Sequence, residues 1–369
     1  MKQAPENPPK GPAAFESDDP EAVQAQAAIL LAAGAQLRGD RAAAQARSAV
    51  VAQPTDMLMK DELDEFPIPR LVPAARRMSL RVATARRYGE VGASYRDTMV
   101  KIADDLYDTR STTAAAALAD MGMEADHELV RVAAAHAALP MTTDTKRPYQ
   151  ILVAGTKSDD ELVRDVAATS LARYRPDDPA LQQLYIEPPA PEEGTAHTST
   201  LVHGTFAANG TWWRPGGDFW TYVNGNVWND LYSGTDFYRW SGGYSHGARE
   251  QGADLLAAWI QSHGVDNLSL MGHSHGCSVT LLTSWKNVRF GRVVLLSAPV
   301  HPSLYNLNFS AVQRAVSIRV KMDLVLLADG SASRFSDPRY NEHVLPIWFN
   351  HSAPHDPDVW RRYNIPSML

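Results

Sequence analysis

The spacing of apolar positions changes part-way along the chain. Between about residues 21 and 184 it is helical: Leu118 and Met121, then Leu129, Val132, Ala133 and Leu139, recur at intervals that place them on single helix faces. From about residue 198 the pattern becomes short β-branched or Leu-rich runs alternating with amphipathic stretches, which predicts an α/β domain with a mainly parallel sheet. Candidate strands lie at 200–203, 237–240, 268–271, 293–296, 316–320 and 344–349. The clearest helix is predicted over 247–262, where Ala253, Leu256, Ala257 and Ile260 share a face, and it leads into the third of these strands.

Composition sharpens that division. All nine tryptophans lie from Trp212 onward, whereas Ala, Arg and Asp dominate the first half. A Pro- and Glu-rich segment around Pro188, Pro189, Pro191, Glu192 and Glu193 sits at the change and suits an extended linker. The expected organisation is a loose tail over 1–20, a helical domain over 21–184, a linker over 185–197 and an α/β domain over 198–369. Within the helical half, Glu128-Leu129-Val130-Arg131 before an Ala-rich helix is echoed about 33 residues later by Glu161-Leu162-Val163-Arg164 before another. The echo resembles a HEAT-type helical repeat over two or three units, with an ordinary Ala-rich bundle as the competing reading. This half reads as carrying no constellation able to do chemistry. A basic cluster, Arg70, Arg76, Arg77, Arg81, Arg86 and Arg87, reads as a solvated helix face, the alternative being a contact with an acidic partner or a lipid surface.

Charge and cysteine content remove several classes of function. At 369 residues, 44% hydrophobic and 21% charged, the chain has a globular composition and the length of roughly two domains. A formal net charge of -7 gives no positive field for nonspecific nucleic-acid binding. A single cysteine, Cys277, excludes an intramolecular disulfide framework and a multi-thiolate zinc site, and agrees with a reducing compartment. The start, MKQAPENPPK, lacks the features of a secretory signal, and the most apolar early run, 27–35, is too short to span a bilayer. The expectation is a cytoplasmic protein without an integral membrane segment, with signal-less export as the alternative.

Chemistry concentrates in the second half. Gly272-His273-Ser274-His275-Gly276 ends the 268–271 strand and opens a helix-like run. A Gly-x-Ser-x-Gly between strand and helix is a nucleophile elbow: the tight turn exposes the serine hydroxyl, the glycines let backbones pass closely, and the helix N-terminus favours developing negative charge. Upstream, Leu201-Val202-His203-Gly204-Thr205-Phe206 ends the first strand with a His-Gly turn. With these two motifs, about 170 residues of the chain resemble lipases and esterases of the α/β-hydrolase superfamily.

The resemblance implies a site. The backbone N–H groups of Thr205 and His275 would form the oxyanion hole, with His203 supporting the loop. The triad partners would follow the serine in the order Asp, His. Asp323, beyond the 316–320 strand, is then the acid, with Asp329 and Asp337 as alternatives. His351, in the loop after the 344–349 strand, is the base, with His355 as its main rival, while His343 precedes that strand. Phe206, Trp212, Trp213, His203, His273 and His301 are pocket candidates, the aromatic run from Trp212 to Trp220 being readable equally as ordinary packing. His273 and His275 form a His-x-His pair that can chelate metal, but they sit in a turn without accompanying carboxylates or thiols and read as pocket lining, so no metal is expected. Cys277 reads as buried in the elbow helix, with a reactive thiol as the alternative. No phosphate-binding loop is present, and no cofactor is expected.

The resemblance therefore implies a serine hydrolase that cleaves small-molecule or lipid carboxylic esters through an acyl-enzyme. A thioesterase or acyltransferase could use the same triad. The rival from another class is a binding protein in which a helical scaffold engages a protein partner and the hydrolase half has no turnover. The α/β half departs from the family's usual pattern by starting almost at the oxyanion strand, and it has no large lid insertion between Val300 and Val316.

Overall fold

The structure, a computed structural model, describes residues 119–140, 145–185, 199–331 and 334–369, with a few helical positions between 20 and 31. The expected N-terminal tail, the arginine cluster at 70–87 and the linker beyond Tyr185 lie outside the described residues. The described residues fall into two compact units, one ending at Gly155 and the other running from Thr156 to Leu369. Among the described residues no helix is long and apolar enough to cross a membrane.

In the first unit, helices α1 (Glu128–Ala138) and α2 (Lys146–Gly155) pack together. Nearly all of α1 is buried, and its small Ala133, Ala134, Ala135 and Ala137 let neighbouring backbone approach. At its start Arg131 reaches back to the carbonyls of Ala125 at 2.8 Å and Asp126 at 2.5 Å, tying the preceding turn to the helix.

The second unit opens with α3 (Glu161–Tyr174) and the short α4 (Pro179–Gln182). Asp160 caps α3, its side chain accepting from the Leu162 and Val163 N–H groups. Arg164 repeats the clamp of Arg131 one period later, bonding the carbonyls of Ser158 at 2.7 Å and Asp159 at 2.9 Å. The sequence echo between the two Glu-Leu-Val-Arg runs is thus a repeated local structure. Although its pattern groups α3 with the helices before it, α3 packs on α8 (Leu324–Asp329) in the second unit. Arg173 fastens the pair by donating to the Ala328 carbonyl at 3.0 Å.

A five-stranded sheet follows, all parallel and in the sequential order β1 (Ser199–Val202), β2 (Leu268–His273), β3 (Phe290–Leu296), β4 (Val312–Lys321), β5 (Tyr340–Trp348). This is an α/β fold. Period-2 alternation divides the strand residues between two cores. Leu268, Leu270, Val293, Leu295 and Ala315 face α6 (His246–Ser262) and α7 (His275–Thr283). Met271, Val294, Leu296, Val316, Ile318 and Val320 face α5 (Asp218–Asn226) and α9 (Pro357–Arg362).

One expected strand, 237–240, is not a strand. Its alternation records side-chain burial instead: Tyr238 donates to the Gly252 carbonyl at 2.8 Å and the Trp240 indole to the His203 carbonyl at 2.9 Å. The segment anchors α6 and the loop after β1 through its side chains.

Candidate active site

Because the strands are parallel, the loops leaving β1, β2, β4 and β5 gather along one edge of the sheet. In a parallel α/β sheet this carboxyl edge is where a crevice forms.

The loop after β2 is the elbow. Ser274 has φ 53° and ψ -132°, a conformation an L-residue adopts only when its surroundings enforce it. Two glycines allow that enforcement. A Cβ on Gly276 would stand 2.5 Å from the His203 carbonyl oxygen and 2.6 Å from that of Val202, so α7 can nestle against β1 only with a glycine there. A Cβ on Gly204 would stand 2.8 Å from the Ser274 Cβ, so the loop after β1 also approaches the serine as bare backbone. The Thr205 and His275 N–H groups beside this approach donate to no backbone carbonyl among the described residues, whereas the Phe206 N–H is committed to Gly242 at 3.0 Å.

Asp323 follows β4 and caps α8, its Oδ1 accepting from the Val325 N–H at 3.0 Å and the Leu326 N–H at 3.2 Å. Its Oδ2 faces His351 Nδ1 at 2.7 Å, both side chains being almost wholly buried. The other ring nitrogen, His351 Nε2, is buried and has no hydrogen-bond partner among the described residues. Burial disfavours the His351 imidazolium. The Asp323 charge and hydrogen bond outweigh it, with Asp165 and Glu161 adding to them, and the pKa lies above the usual 6.5.

Ser274, His351, Thr205 and His275 line one cavity of about 320 Å³, together with Phe206, Trp212, His273, Asp329 and His355. Of the other pocket candidates, His203 and Trp213 are buried and do not line it. His203 packs between Trp213 and Trp240 at ring separations of 4.4 and 5.7 Å, and burial lowers its pKa to about 4. His301 is turned to Asp329, Nε2 to Oδ2 at 2.8 Å, and is not among the lining residues.

The rival base His355 stacks on Trp212 at 4.1 Å. It contacts no carboxylate among the described residues, and burial followed by the His351 charge pushes its pKa down to about 3. The acid alternative Asp329 is also occupied, accepting from the Tyr244 hydroxyl at 2.6 Å as well as from His301. The two histidines flanking the serine diverge. His273 Nε2 meets the His351 carbonyl at 3.1 Å, whereas His275 Nε2 meets the Arg249 guanidinium at 2.9 Å and Nδ1 meets Ser278 at 3.1 Å. His275 Nε2 also lies 3.2 Å from Asp329 Oδ1; burial and then Arg249 lower the His275 pKa to about 3 against the opposing pull of Asp329, so the ring is neutral. The Cys277 thiol is buried, donates to the Gly272 carbonyl at 3.1 Å and is pushed up by burial, the opposite of what a reactive thiol needs.

The sequence reading missed the contribution of α3. Glu161, Arg164 and Asp165 line the same cavity as Ser274. Burial raises the Asp165 carboxyl to about 7, while the His351 charge works in the opposite direction. One signal was available: counting one 33-residue period back from Asp165 reaches Val132, a fully buried apolar residue of α1. A carboxylate where the repeat calls for a core residue marks a departure from structural duty.

Comparison with protein-family models, with curated proteins and with solved structures returns no match.

Proposed function

We propose that the chain is a serine hydrolase of the α/β-hydrolase kind that cleaves carboxylic esters through an acyl-enzyme, its N-terminal half being built from HEAT-like helical units. The observation that carries the reading is the strained Ser274 opening onto the same cavity as the unpartnered Nε2 of a histidine whose Nδ1 is held at 2.7 Å by Asp323. The recurring Arg131 and Arg164 clamps support the repeat.

In the proposed reaction His351 Nε2 accepts the Ser274 proton as Oγ forms its bond to the ester carbonyl carbon. The Thr205 and His275 backbone N–H groups receive the oxyanion. Collapse breaks the carbon–oxygen bond to the alcohol, which leaves with the proton returned from His351. Water, deprotonated by His351, then releases the acid and restores Ser274.

The test pairs labelling with turnover. A fluorophosphonate probe should label Ser274 in the wild type and not in Ser274→Ala. Hydrolysis of p-nitrophenyl acetate should fall by about 10³ to 10⁶ in kcat in Ser274→Ala and in His351→Ala. Undiminished hydrolysis in Ser274→Ala would sink the assignment. A wild type that neither turns over nor labels would favour a binding scaffold.

A further inference from the structure

The cavity has a charged wall that ester hydrolysis itself does not use. Glu161 and Asp165 stand one helical turn apart on α3, and both face it. Arg164 spends its guanidinium on the Ser158 and Asp159 carbonyls. Asp165 is half-buried yet makes no hydrogen bond or ion pair with any described residue. The charges that face it are Glu161 and Arg164 on its own helix, His351 from the loop after β5 and Asp323 at the start of α8. The same cavity holds buried polar atoms without partners among the described residues, His351 Nε2 and Thr205 Oγ1, which a bound substrate can satisfy.

The position of this wall indicates which part of a substrate it meets. His351 Nε2 returns its proton to the departing alcohol, so the alcohol portion of the ester lies beside His351. Asp165 and His351 line the same cavity, and the His351 charge acts on Asp165. A hydrocarbon alcohol would leave the half-buried Asp165 carboxylate without a partner, whereas Glu161 is exposed and adds its charge from the rim.

We propose that the preferred substrates are esters of amino alcohols, whose protonated amine is received by the Asp165 and Glu161 carboxylates. The inference rests on the serine-hydrolase reading above and narrows it from esters in general to cationic ones. A charge-assisted contact in a partly desolvated wall is expected to favour such an ester over its uncharged isostere by about 10- to 100-fold in kcat/KM.

The experiment compares 2-(dimethylamino)ethyl acetate with 3-methylbutyl acetate, which has a C–H in place of the N–H of the protonated amine, in the full-length protein. The readout is the ratio of the two kcat/KM values, which general damage to the fold leaves unaltered. The wild type should favour the amine ester, and the ratio should fall towards one in Asp165→Asn and part-way in Glu161→Gln. Equal rates on the two esters in the wild type, or an unchanged ratio in Asp165→Asn, overturn the proposal. If the wild type cleaves neither ester, the hydrolase reading fails by itself, and calorimetric binding to Ser274→Ala decides the recognition. Binding of 2-(dimethylamino)ethanol but not of 3-methylbutanol, lost when Asp165→Asn is added, supports the cation site. No binding of the amine, or binding that survives Asp165→Asn, removes it.

Discussion

Asp323 serves two partners with one carboxylate, and the arrangement makes its substitution informative. Oδ1 is pinned by two N–H donors at the start of α8, so in Asp323→Asn the same cap holds the amide oxygen there and turns the NH2 group towards His351 Nδ1. Nδ1 must then accept, the ring proton moves to Nε2, and the histidine can no longer take a proton from Ser274. A fall of about 10⁴ in kcat with little loss of thermal stability is the expected outcome, checked by steady-state kinetics beside a melting curve. The pH profile tests the same pair. Proton transfer needs a neutral imidazole, and the His351 pKa is raised, so kcat/KM for an uncharged ester should fall as pH drops through a value above the usual 6.5. Asp165 is among the charges that raise it, so Asp165→Asn should move this limb to lower pH; an acid limb in the wild type at or below 6.5 would contradict the assignment. Gly276→Ala forces a Cβ into the backbone of β1, where no side chain can yield, and should cost about 1–3 kcal/mol or more in denaturant unfolding. The elbow glycine and serine were legible in the sequence because a strand–turn–helix is local. Asp165 was not, because a charged residue on an amphipathic helix looks the same whether it faces solvent or a cavity.

Secondary-structure elements repeat that lesson with different partners. Helices α6 and α7 and the strands β2 to β4 follow from periodicity and caps, whereas β5 begins at Tyr340, ahead of the expected 344–349, and contains His343, which was expected to precede it. The segment at 237–240 was misread because Phe237, Tyr238 and Trp240 alternate in the same way whether the backbone pairs in a sheet or the aromatic side chains find remote acceptors. The fastening of α3 to α8 also lay beyond sequence reading, since Arg173 and the Ala328 carbonyl are far apart in the chain. Gly330 ends α8 at φ 72°, and a Cβ there would lie 1.9 Å from the Arg173 guanidinium. Gly330→Ala should therefore both strain the backbone and displace that arginine. A loss of about 1 kcal/mol, or roughly 2–4 °C in Tm, is expected by calorimetry, and an unchanged Tm would show that Arg173 carries no weight.

At the scale of the whole molecule, the boundary between compact units at Gly155/Thr156 decides where a functional fragment can begin. A chain starting at Thr156 keeps α3, its apolar Val163, Val166, Ala167 and Leu171, and the acidic wall of the cavity. One starting at Ser199 removes all of these and uncovers α8, which carries Asp323 at its cap. Fluorophosphonate labelling of Ser274 should persist in the first and be lost or strongly reduced in the second; equal labelling in both would mean that α3 is dispensable to the site. Sequence alone determined the α/β character of the second half, the elbow and the 33-residue echo, because hydrogen-bonded helices, pleated strands and caps are set by residues within a few positions of one another. The pairing of Asp323 with His351, rather than with His355, and of Asp329 with His301 was decided only by tertiary structure, as was the entry of Asp165 into the cavity. Several carboxylates and histidines compete within the same stretch of chain. Which of them meet depends on how strands and helices pack across many residues, and no local period records that.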